Sequence, residues 1–355
     1  MLPIIALALA VPTAAQAAAK KKTVYVGTPP ASEKLFTKTG SDVNAFFPNS
    51  VRVHVGDSVS FAPAGFHTLD LPPAGQGPVG LFAPTGKKIL GLSDEAGNPF
   101  WFDGQNELGF DPRLLRSSYG KTLVKTPAAR IESGLPLGNN LKPVTVRFPK
   151  AGVYTYYCDL HPGMKGTVRV VSRRSPIPSA RVEAARIKHQ VASALAVAKT
   201  LASSVKPAAN TVSMGADGKH NVHYFGFLPG NLTVPAGTTV RFAMPTNSTE
   251  VHTATFGPSG TDAASFDSSY VGKIAATLEQ PVPDPKALYP SDVPGPPVAL
   301  SPALHGNGFW STGALDGIAA SPLPQANTVT FSTPGIYTYV CLIHPFMKGR
   351  VTVTP

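Results

Sequence analysis

Two short segments of this 355-residue chain carry the same three metal-binding side-chain types at the same spacing. Each reads Cys-x-x-His-x-x-Met, and the residues are Cys158, His161 and Met164 in the first segment and Cys341, His344 and Met347 in the second. Thiolate and thioether sulfur favour Cu(I), while imidazole nitrogen also binds Cu(II). Two His and one Cys in a plane, with a distant axial Met, form the arrangement used for electron transfer by type-1 copper. We therefore expect each segment to supply three ligands of one copper ion.

The second histidine of each site must come from elsewhere in the chain, and two histidines occupy matching positions. His67 lies 91 residues before Cys158, and His252 lies 89 residues before Cys341. Each follows a Gly-x-x-Val-x-Phe segment and is itself followed by Thr. This matched placement distinguishes both from the other histidines.

The surroundings of the two motifs are also duplicated, because Cys, His and Met all recur 183 positions downstream. Flanking segments alternate apolar and polar residues, as at Val51 and Val53 before the first site and Val168 and Val170 after it. Period-two alternation bounded by Gly and Pro is typical of half-buried strands in an antiparallel sandwich. With 33 Gly, 37 Pro and only 14% charged residues, the composition argues against a helical bundle.

The N-terminus predicts export. An apolar run over residues 2–11 is followed by Ala15-Gln16-Ala17, which is typical of a secretory signal peptide over residues 1–17. About ten apolar residues are too few to cross a hydrocarbon core of about 30 Å as a helix, which disfavours an uncleaved anchor. We expect a periplasmic, cell-envelope or extracellular protein without a membrane span.

The remaining chain divides into a first domain over residues 18–172, a linker over 173–207 and a second domain over 208–355. The Ala-rich part of the linker predicts a helix that packs an apolar stripe on one domain or on both, formed by Val182, Ile187, Val191, Leu195 and Leu201. Each domain also has a long Gly-, Pro- and Ser-rich insertion ahead of its Cys, with Trp101 in the first and Trp310 in the second. Such an insertion either contacts partners or is a surface excursion packed by its own aromatic residues.

The motifs resemble those of the plastocyanin, amicyanin and pseudoazurin group of cupredoxins. The second copy, Cys341-Leu342-Ile343-His344-Pro345-Phe346-Met347, is similar to the amicyanin loop. The resemblance covers both repeats and implies an all-β fold of two cupredoxin-like Greek-key sandwiches joined by the helical linker. It implies one copper site of His67, Cys158, His161 and Met164 and another of His252, Cys341, His344 and Met347. It also implies that His161 and His344 lie at the surface as exit routes for electrons, although the insertions are longer than in small single-domain members.

Other functions are alternative interpretations that the same residues favour less. A Cys158–Cys341 disulfide is disfavoured because each Cys occupies the equivalent position of a separate repeat. A multicopper oxidase or nitrite reductase needs His-x-His pairs or a His beside the Cys ligand, and the sequence has neither, although an oligomer could build an interfacial site. Copper storage or delivery stays open as an alternative to electron transfer, and we expect an electron carrier rather than an enzyme.

The formal net charge of +11 does not predict nucleic-acid binding, because the basic residues are scattered and lack interleaved aromatics. Redox partner proteins are the expected partners, and a basic surface also suits peripheral contact with the cell envelope. His54 and His189 are expected to be ordinary surface or satisfied histidines. His220, His223 and His305 stay open, and His305 could approach the second site.

Overall fold

The structure is a computed structural model that describes residues 20–258 and 265–355. The predicted signal peptide lies outside these residues and stays a prediction. The described chain consists mainly of short strands packed as sandwiches, with few helices, which confirms the all-β fold class. Within it, no helix is both long enough and apolar enough to span a membrane.

The first sandwich is made of two five-stranded sheets. One contains Lys21–Val26, Phe46–Phe47, Ser58–Pro63, Thr122–Val124 and Val144–Arg147, and the other contains Ser50–His54, Asp70–Leu71, Ile131–Glu132, Gly152–Tyr157 and Lys165–Val171. Alternating residues of both sheets, such as Val51, Val59 and Val168, are buried in one shared core. Burial of one such side chain contributes about 1.5–3 kcal/mol, so this alternation holds the sheets face to face.

The second sandwich consists of a six-stranded and a five-stranded sheet. The larger contains Ser41–Val43, Thr211–Gly218, Val222–Leu228, Thr238–Ala243, Val298–Leu300 and Ala326–Phe331, and the smaller contains Asn231–Pro235, Thr255–Phe256, Trp310–Ser311, Gly335–Val340 and Lys348–Thr354. Two-stranded pairs are formed by Val251–His252 with Leu315–Asp316 and by Phe82–Lys88 with Asn106–Phe110. Val240, Phe242, Tyr339 and Val351 fill the core between the two large sheets.

A strand from the first half of the chain completes the second sandwich. Ser41–Val43 pairs antiparallel with Val222–Tyr224, at the edge of the six-stranded sheet. The next residue continues the connection, since the backbone N–H of Asn44 donates to the carbonyl of Asn221 at 2.9 Å. The two halves are therefore joined by strand pairing as well as by the linker.

The helices are Pro30–Thr37, Ala180–Ser204, Tyr270–Ala276 and Pro285–Leu288, with 3₁₀ turns at Lys219–Asn221, Thr277–Glu279 and Leu304–Gly306. The helix Ala180–Ser204 lies inside the predicted linker, and Ser179 caps it by accepting from the backbone N–H of Val182. Its buried face, including Val191 and Leu201, packs with Phe36 from the first half and with Val222 from the second.

One residue of the predicted stripe does not belong to it. Val182 is 49% exposed, because the first turn directs Glu183 inward, where its carboxylate lies 2.8 Å from Nζ of Lys22. The pairing of Glu183 with the first sandwich orients this turn, so the stripe begins only after it.

The two insertions pack against each other. The indole N–H of Trp101 donates to the carbonyl of Pro290 at 2.8 Å, and the rings of Phe102 and Tyr289 stack at 5.4 Å. Ile89 and Phe100 share a core with Phe266, Val271, Ile274 and Phe309 from the second insertion. The alternative of an excursion packed by its own aromatics is confirmed in part, since Phe100 and Phe102 stack at 5.0 Å, but the insertions also pack on each other, and Trp310 lies in the core of the second sandwich.

Candidate metal centres

Strand pairing brings the first predicted ligand set to one end of its sandwich. The strand Gly152–Tyr157 ends just before Cys158, and Tyr157 pairs with Asp70, three residues after His67. The segment after Cys158 turns back at once, because the backbone N–H of Cys158 donates to the carbonyl of Met164 at 3.1 Å. The loop that carries His67 therefore meets the Cys-to-Met loop.

Three candidate ligand atoms of site one form a small triangle. Sγ of Cys158 lies 3.4 Å from Nδ1 of His161 and 4.0 Å from Nδ1 of His67. The two Nδ1 atoms are 2.9 Å apart, and all three residues are buried. The geometry thus directs one sulfur and two imidazole nitrogens at a common point.

Site two has the same triangle in the second sandwich. Sγ of Cys341 lies 3.7 Å from Nδ1 of His252 and 3.8 Å from Nδ1 of His344. The two Nδ1 atoms are 3.1 Å apart. Pairing of Thr255 with Val340 sets this geometry, because it aligns the His252 loop with the residue before Cys341.

Each predicted Met is buried in the core of its sandwich. Met164 and Met347 are both 1% exposed, and each belongs to the hydrophobic cluster that contains the neighbouring Cys. The backbone N–H of Met164 donates to the carbonyl of His161, and that of Met347 donates to the carbonyl of His344. The loop therefore turns each thioether inward rather than toward solvent.

Burial sets the protonation of the metal-free sites. Desolvation lowers the pKa of His67 to about 4 and that of His344 to about 3, so both rings are neutral near pH 7. Desolvation also raises the pKa of Cys158 to about 12 and raises the pKa of Cys341. Neutral imidazoles can bind a metal directly, whereas each thiol must release its proton when it becomes a ligand.

Backbone and hydroxyl groups contact the two sulfurs. The backbone N–H of Thr68 donates to Sγ of Cys158 at 3.4 Å, and that of Thr253 donates to Sγ of Cys341 at 3.3 Å. The two threonines follow the matched histidines His67 and His252. Hydrogen bonds of this kind orient a thiolate ligand and tune the metal that it holds.

The sites differ in the residue after Cys. In site one this residue is Asp159, which accepts from the hydroxyl of Thr68 at 2.7 Å, whereas Leu342 takes the equivalent place in site two. Asp159 forms an acidic cluster with Asp70 and Glu132, whose nearest oxygens lie within 4.8 Å of one another. Arg130 pairs with Asp70, and desolvation raises the pKa of Glu132 to about 10.

His223 contacts a candidate ligand of site two. Its Nε2 lies 2.9 Å from Nε2 of His252, and its Nδ1 lies 3.1 Å from Oδ1 of Asp217. His223 is fully buried. When His252 binds a metal through Nδ1, its Nε2–H can donate to His223, as metal-bound histidines commonly do to a second group.

Glu250 lies between the two sites. Its Oε1 is 3.3 Å from Nε2 of His161, and its Oε2 is 3.8 Å from Nε2 of His344. Glu250 is 2% exposed, and desolvation raises its pKa to about 7. His161 is 8% exposed and the side chain of His344 is 19% exposed. The expectation that His161 lies at the surface is therefore wrong, because its ring is buried against Glu250 from the other half of the chain, whereas His344 stays partly exposed.

The sequence contains a signal that points to Glu250. Glu250 stands two residues before His252, whereas the first copy has Gly65 two residues before His67. A buried carboxylate in only one of two copies indicates a role outside the shared ligand set. The sequence left the role of His223 open, because no spacing linked it to His252, which lies 29 residues away.

The remaining histidines lie away from the two triangles. His305 contacts Asp94 and Asp292 at 3.1 and 3.3 Å, so it does not approach site two. His54 is half-buried with Nε2 2.9 Å from the carbonyl of Ser175, and His189 is exposed on the long helix.

Comparison with known proteins finds a similarity to amicyanin and other cupredoxins. No family model matches it. Amicyanin-alpha of Methylorubrum extorquens is 38% identical over 52 residues, which are 14% of this chain and 44% of that relative. The chain is similar to a cupredoxin. The match spans less than half of that relative's length, so it leaves function to be proposed from the site.

Solved cupredoxin structures also match at low identity. The amicyanin from Paracoccus versutus is 19% identical, with 43% of this chain and 89% of that one covered and a TM-score of 0.22. A purple cupredoxin from Nitrosopumilus maritimus is 15% identical, with 41% and 98% covered and a TM-score of 0.21.

The residues present fit a copper ion. Divalent-metal bonds of about 2.0 Å to nitrogen and 2.3 Å to sulfur, the lengths known for zinc, place neighbouring ligand atoms of a trigonal site about 3.4–3.8 Å apart. The Sγ–Nδ1 distances of 3.4–4.0 Å are close to this range, and the Nδ1 pairs, at 2.9 and 3.1 Å, would have to separate slightly around an ion. Structural zinc sites use Cys, His and carboxylate, whereas each Cys here shares its hydrophobic cluster with a buried Met from the same motif. One thiolate, two imidazoles and a thioether instead match the donors that copper prefers.

Proposed function

We propose that this protein is a copper-binding electron-transfer protein with two type-1 sites in one chain. The observation that carries the proposal is the repeated triangle of one Cys Sγ and two His Nδ1 atoms, with a buried Met from the same loop in each copy. The proposed ligands are His67, Cys158, His161 and Met164 in site one and His252, Cys341, His344 and Met347 in site two.

The chain's own residues supply a prearranged and water-poor environment. Bound copper would accept and return one electron by cycling between Cu(II) and Cu(I). The sheets hold both triangles in place, so electron transfer requires little movement of the ligands. The Thr68 and Thr253 N–H groups stabilise negative charge on the two sulfurs, and burial keeps water from them.

The proposed setting is outside the cytoplasm. The apolar N-terminal run and its small-residue cleavage pattern support export to the periplasm, the cell envelope or the extracellular space. The formal charge of +11 suits an acidic redox partner or an anionic envelope surface. The protein would serve there as an electron carrier rather than as an enzyme.

Copper stoichiometry and the visible spectrum test the proposal. We expect two coppers per chain in the Cu(II)-loaded protein, with an intense blue thiolate-to-copper band. Cys158→Ser and Cys341→Ser should each remove one copper and part of the band, and the double variant should be colourless. His189→Gln is the matched control, because it removes an exposed imidazole far from both triangles. A colourless wild-type protein, or one with a Cys158–Cys341 disulfide, would refute the proposal.

A further inference from the structure

The two histidines that would serve as electron exits face each other through a single carboxylate. In His161 and His344 alike, Nδ1 faces the Cys sulfur of its own site, and Nε2 faces Glu250. Each carboxylate oxygen faces one ring: Oε1 lies 3.3 Å from Nε2 of His161, and Oε2 lies 3.8 Å from Nε2 of His344. With copper on Nδ1, each Nε2 carries a hydrogen near the carboxylate; the 3.3 Å distance at His161 is within hydrogen-bond reach, and the 3.8 Å distance at His344 is a longer electrostatic contact.

We propose that Glu250 is the bridge through which the two copper centres exchange an electron inside one chain. The inference rests on the proposed function and extends it, because it names the partner of each centre as the other centre. In the step, Cu(I) in one site is oxidised to Cu(II) while Cu(II) in the other is reduced to Cu(I). One electron moves, and no bond to Glu250, His161 or His344 forms or breaks.

Hydrogen bonds from the first half of the chain fix the bridge in position. Nδ2 of Asn44 donates to Oε1 of Glu250 at 2.8 Å and to Oγ1 of Thr249 at 2.9 Å. The backbone N–H of Glu250 donates to Oγ of Ser248 at 3.2 Å. Because Asn44 directly follows the strand that crosses into the second sandwich, the pairing of the two halves also positions the carboxylate. With its carboxylate anchored by Asn44 and its backbone by Ser248, Glu250 keeps its contacts with both rings.

The burial of this region favours exchange within the chain. Asn44 and Glu250 are at most 2% exposed, and the packed insertions add a second contact between the halves. Two centres held at a fixed separation react without a diffusional encounter, which raises their effective concentration. An outside partner does not share this advantage, and the ring of His161 is already buried against Glu250 from the other half of the chain.

Pulse reduction of the fully Cu(II)-loaded protein measures the exchange. Less than one electron is delivered per chain, and the blue bands are followed as the electron redistributes between the sites. We expect a relaxation whose rate does not depend on protein concentration and which is absent from Cys158→Ser and Cys341→Ser. Glu250→Gln should slow it by about 10- to 100-fold, since the amide turns an N–H toward one of the two imidazole N–H groups. Glu33→Gln, which alters an exposed carboxylate, should leave the rate unchanged.

The outcomes separate this inference from the proposed function. Two blue sites with no concentration-independent relaxation in the wild type would overturn the bridge and leave the copper function standing. An unchanged rate in Glu250→Gln would also overturn it. A protein without blue copper would overturn both proposals.

A second measurement needs no copper. In the metal-free protein, Glu250→Gln should shift the imidazole ¹⁵N resonances of both His161 and His344, while Glu33→Gln should shift neither. Movement of only one ring, or of none, would show that the carboxylate does not connect the two sites.

Discussion

Replacement of His223 by Leu should weaken copper at site two alone. The change removes the group that lies 2.9 Å from Nε2 of His252 and connects it to Asp217. Loss of such an outer partner typically costs 10- to 100-fold in metal affinity, or about 1.4–2.8 kcal/mol. Site one serves as an internal reference, because the corresponding ring edge of His67 packs on the backbone of Gly27 rather than on a second imidazole. A Cβ at Gly27 would lie 2.4 Å from Cδ2 of His67.

The same change should raise the reduction potential of site two. The negative charge of Asp217, relayed through His223, stabilises Cu(II) more than Cu(I). If the whole loss falls on Cu(II), the potential rises by about 60–120 mV, since a tenfold change corresponds to about 59 mV for one electron. Redox titration in a Cys158→Ser background isolates site two and measures this shift.

Copper competition titrations of both sites measure the affinity loss, with His189→Gln as the control for loss of an exposed imidazole. Unchanged affinity at site two would show that His223 does not support His252. An equal loss at both sites would mean that the substitution disturbs the whole fold, and the reasoning would be refuted.

Three further changes test other parts of the structure. Gly27→Ala places a methyl group against His67 at a φ of +110°, so site one should lose copper and the protein should lose about 1–2 kcal/mol or more in stability. Gly77→Ala is the control, because its methyl group meets nothing within 4 Å and should change neither copper binding nor stability. Copper retained at site one of Gly27→Ala would contradict this prediction. Burial raises the pKa of Glu132 from 4.5 to about 10, so the unfolded chain loses this proton first and stability should fall as pH rises between these values. Urea titrations at several pH values should show a flatter decline for Glu132→Gln than for the wild type. The same decline of stability with pH in both proteins would argue against this role of Glu132. Trp101→Phe removes the indole hydrogen bond between the insertions and should lower the free energy of unfolding by about 0.5–1.5 kcal/mol without changing either blue band. An unchanged urea midpoint would contradict the packing of the two insertions.

The sequence was sufficient for features that repeat or alternate. The matched placement of His67 and His252 singled out two histidines that the structure brings beside Cys158 and Cys341. The alternating valines likewise predicted strands whose inward residues are buried. These features are local patterns or copies, so they are visible without knowledge of long-range contacts.

Contacts between the two halves were not visible in the sequence. Glu250 and Asn44 are 206 residues apart, and no period or spacing links them. The strand Ser41–Val43 is too short for its alternation to indicate that its partner would be Val222–Tyr224. The expectation that His161 lies at the surface came from single-domain relatives, in which no second half covers it.

Anomalous diffraction at the copper edge from crystals of the Cu(II)-loaded protein is the most direct test of the central claim. We predict two peaks per chain, one within bonding distance of Cys158 Sγ and the Nδ1 atoms of His67 and His161, and one at the equivalent atoms around Cys341. The carboxylate of Glu250 should lie between the two copper-binding imidazoles. A single peak, or peaks bound by other residues, would contradict the account.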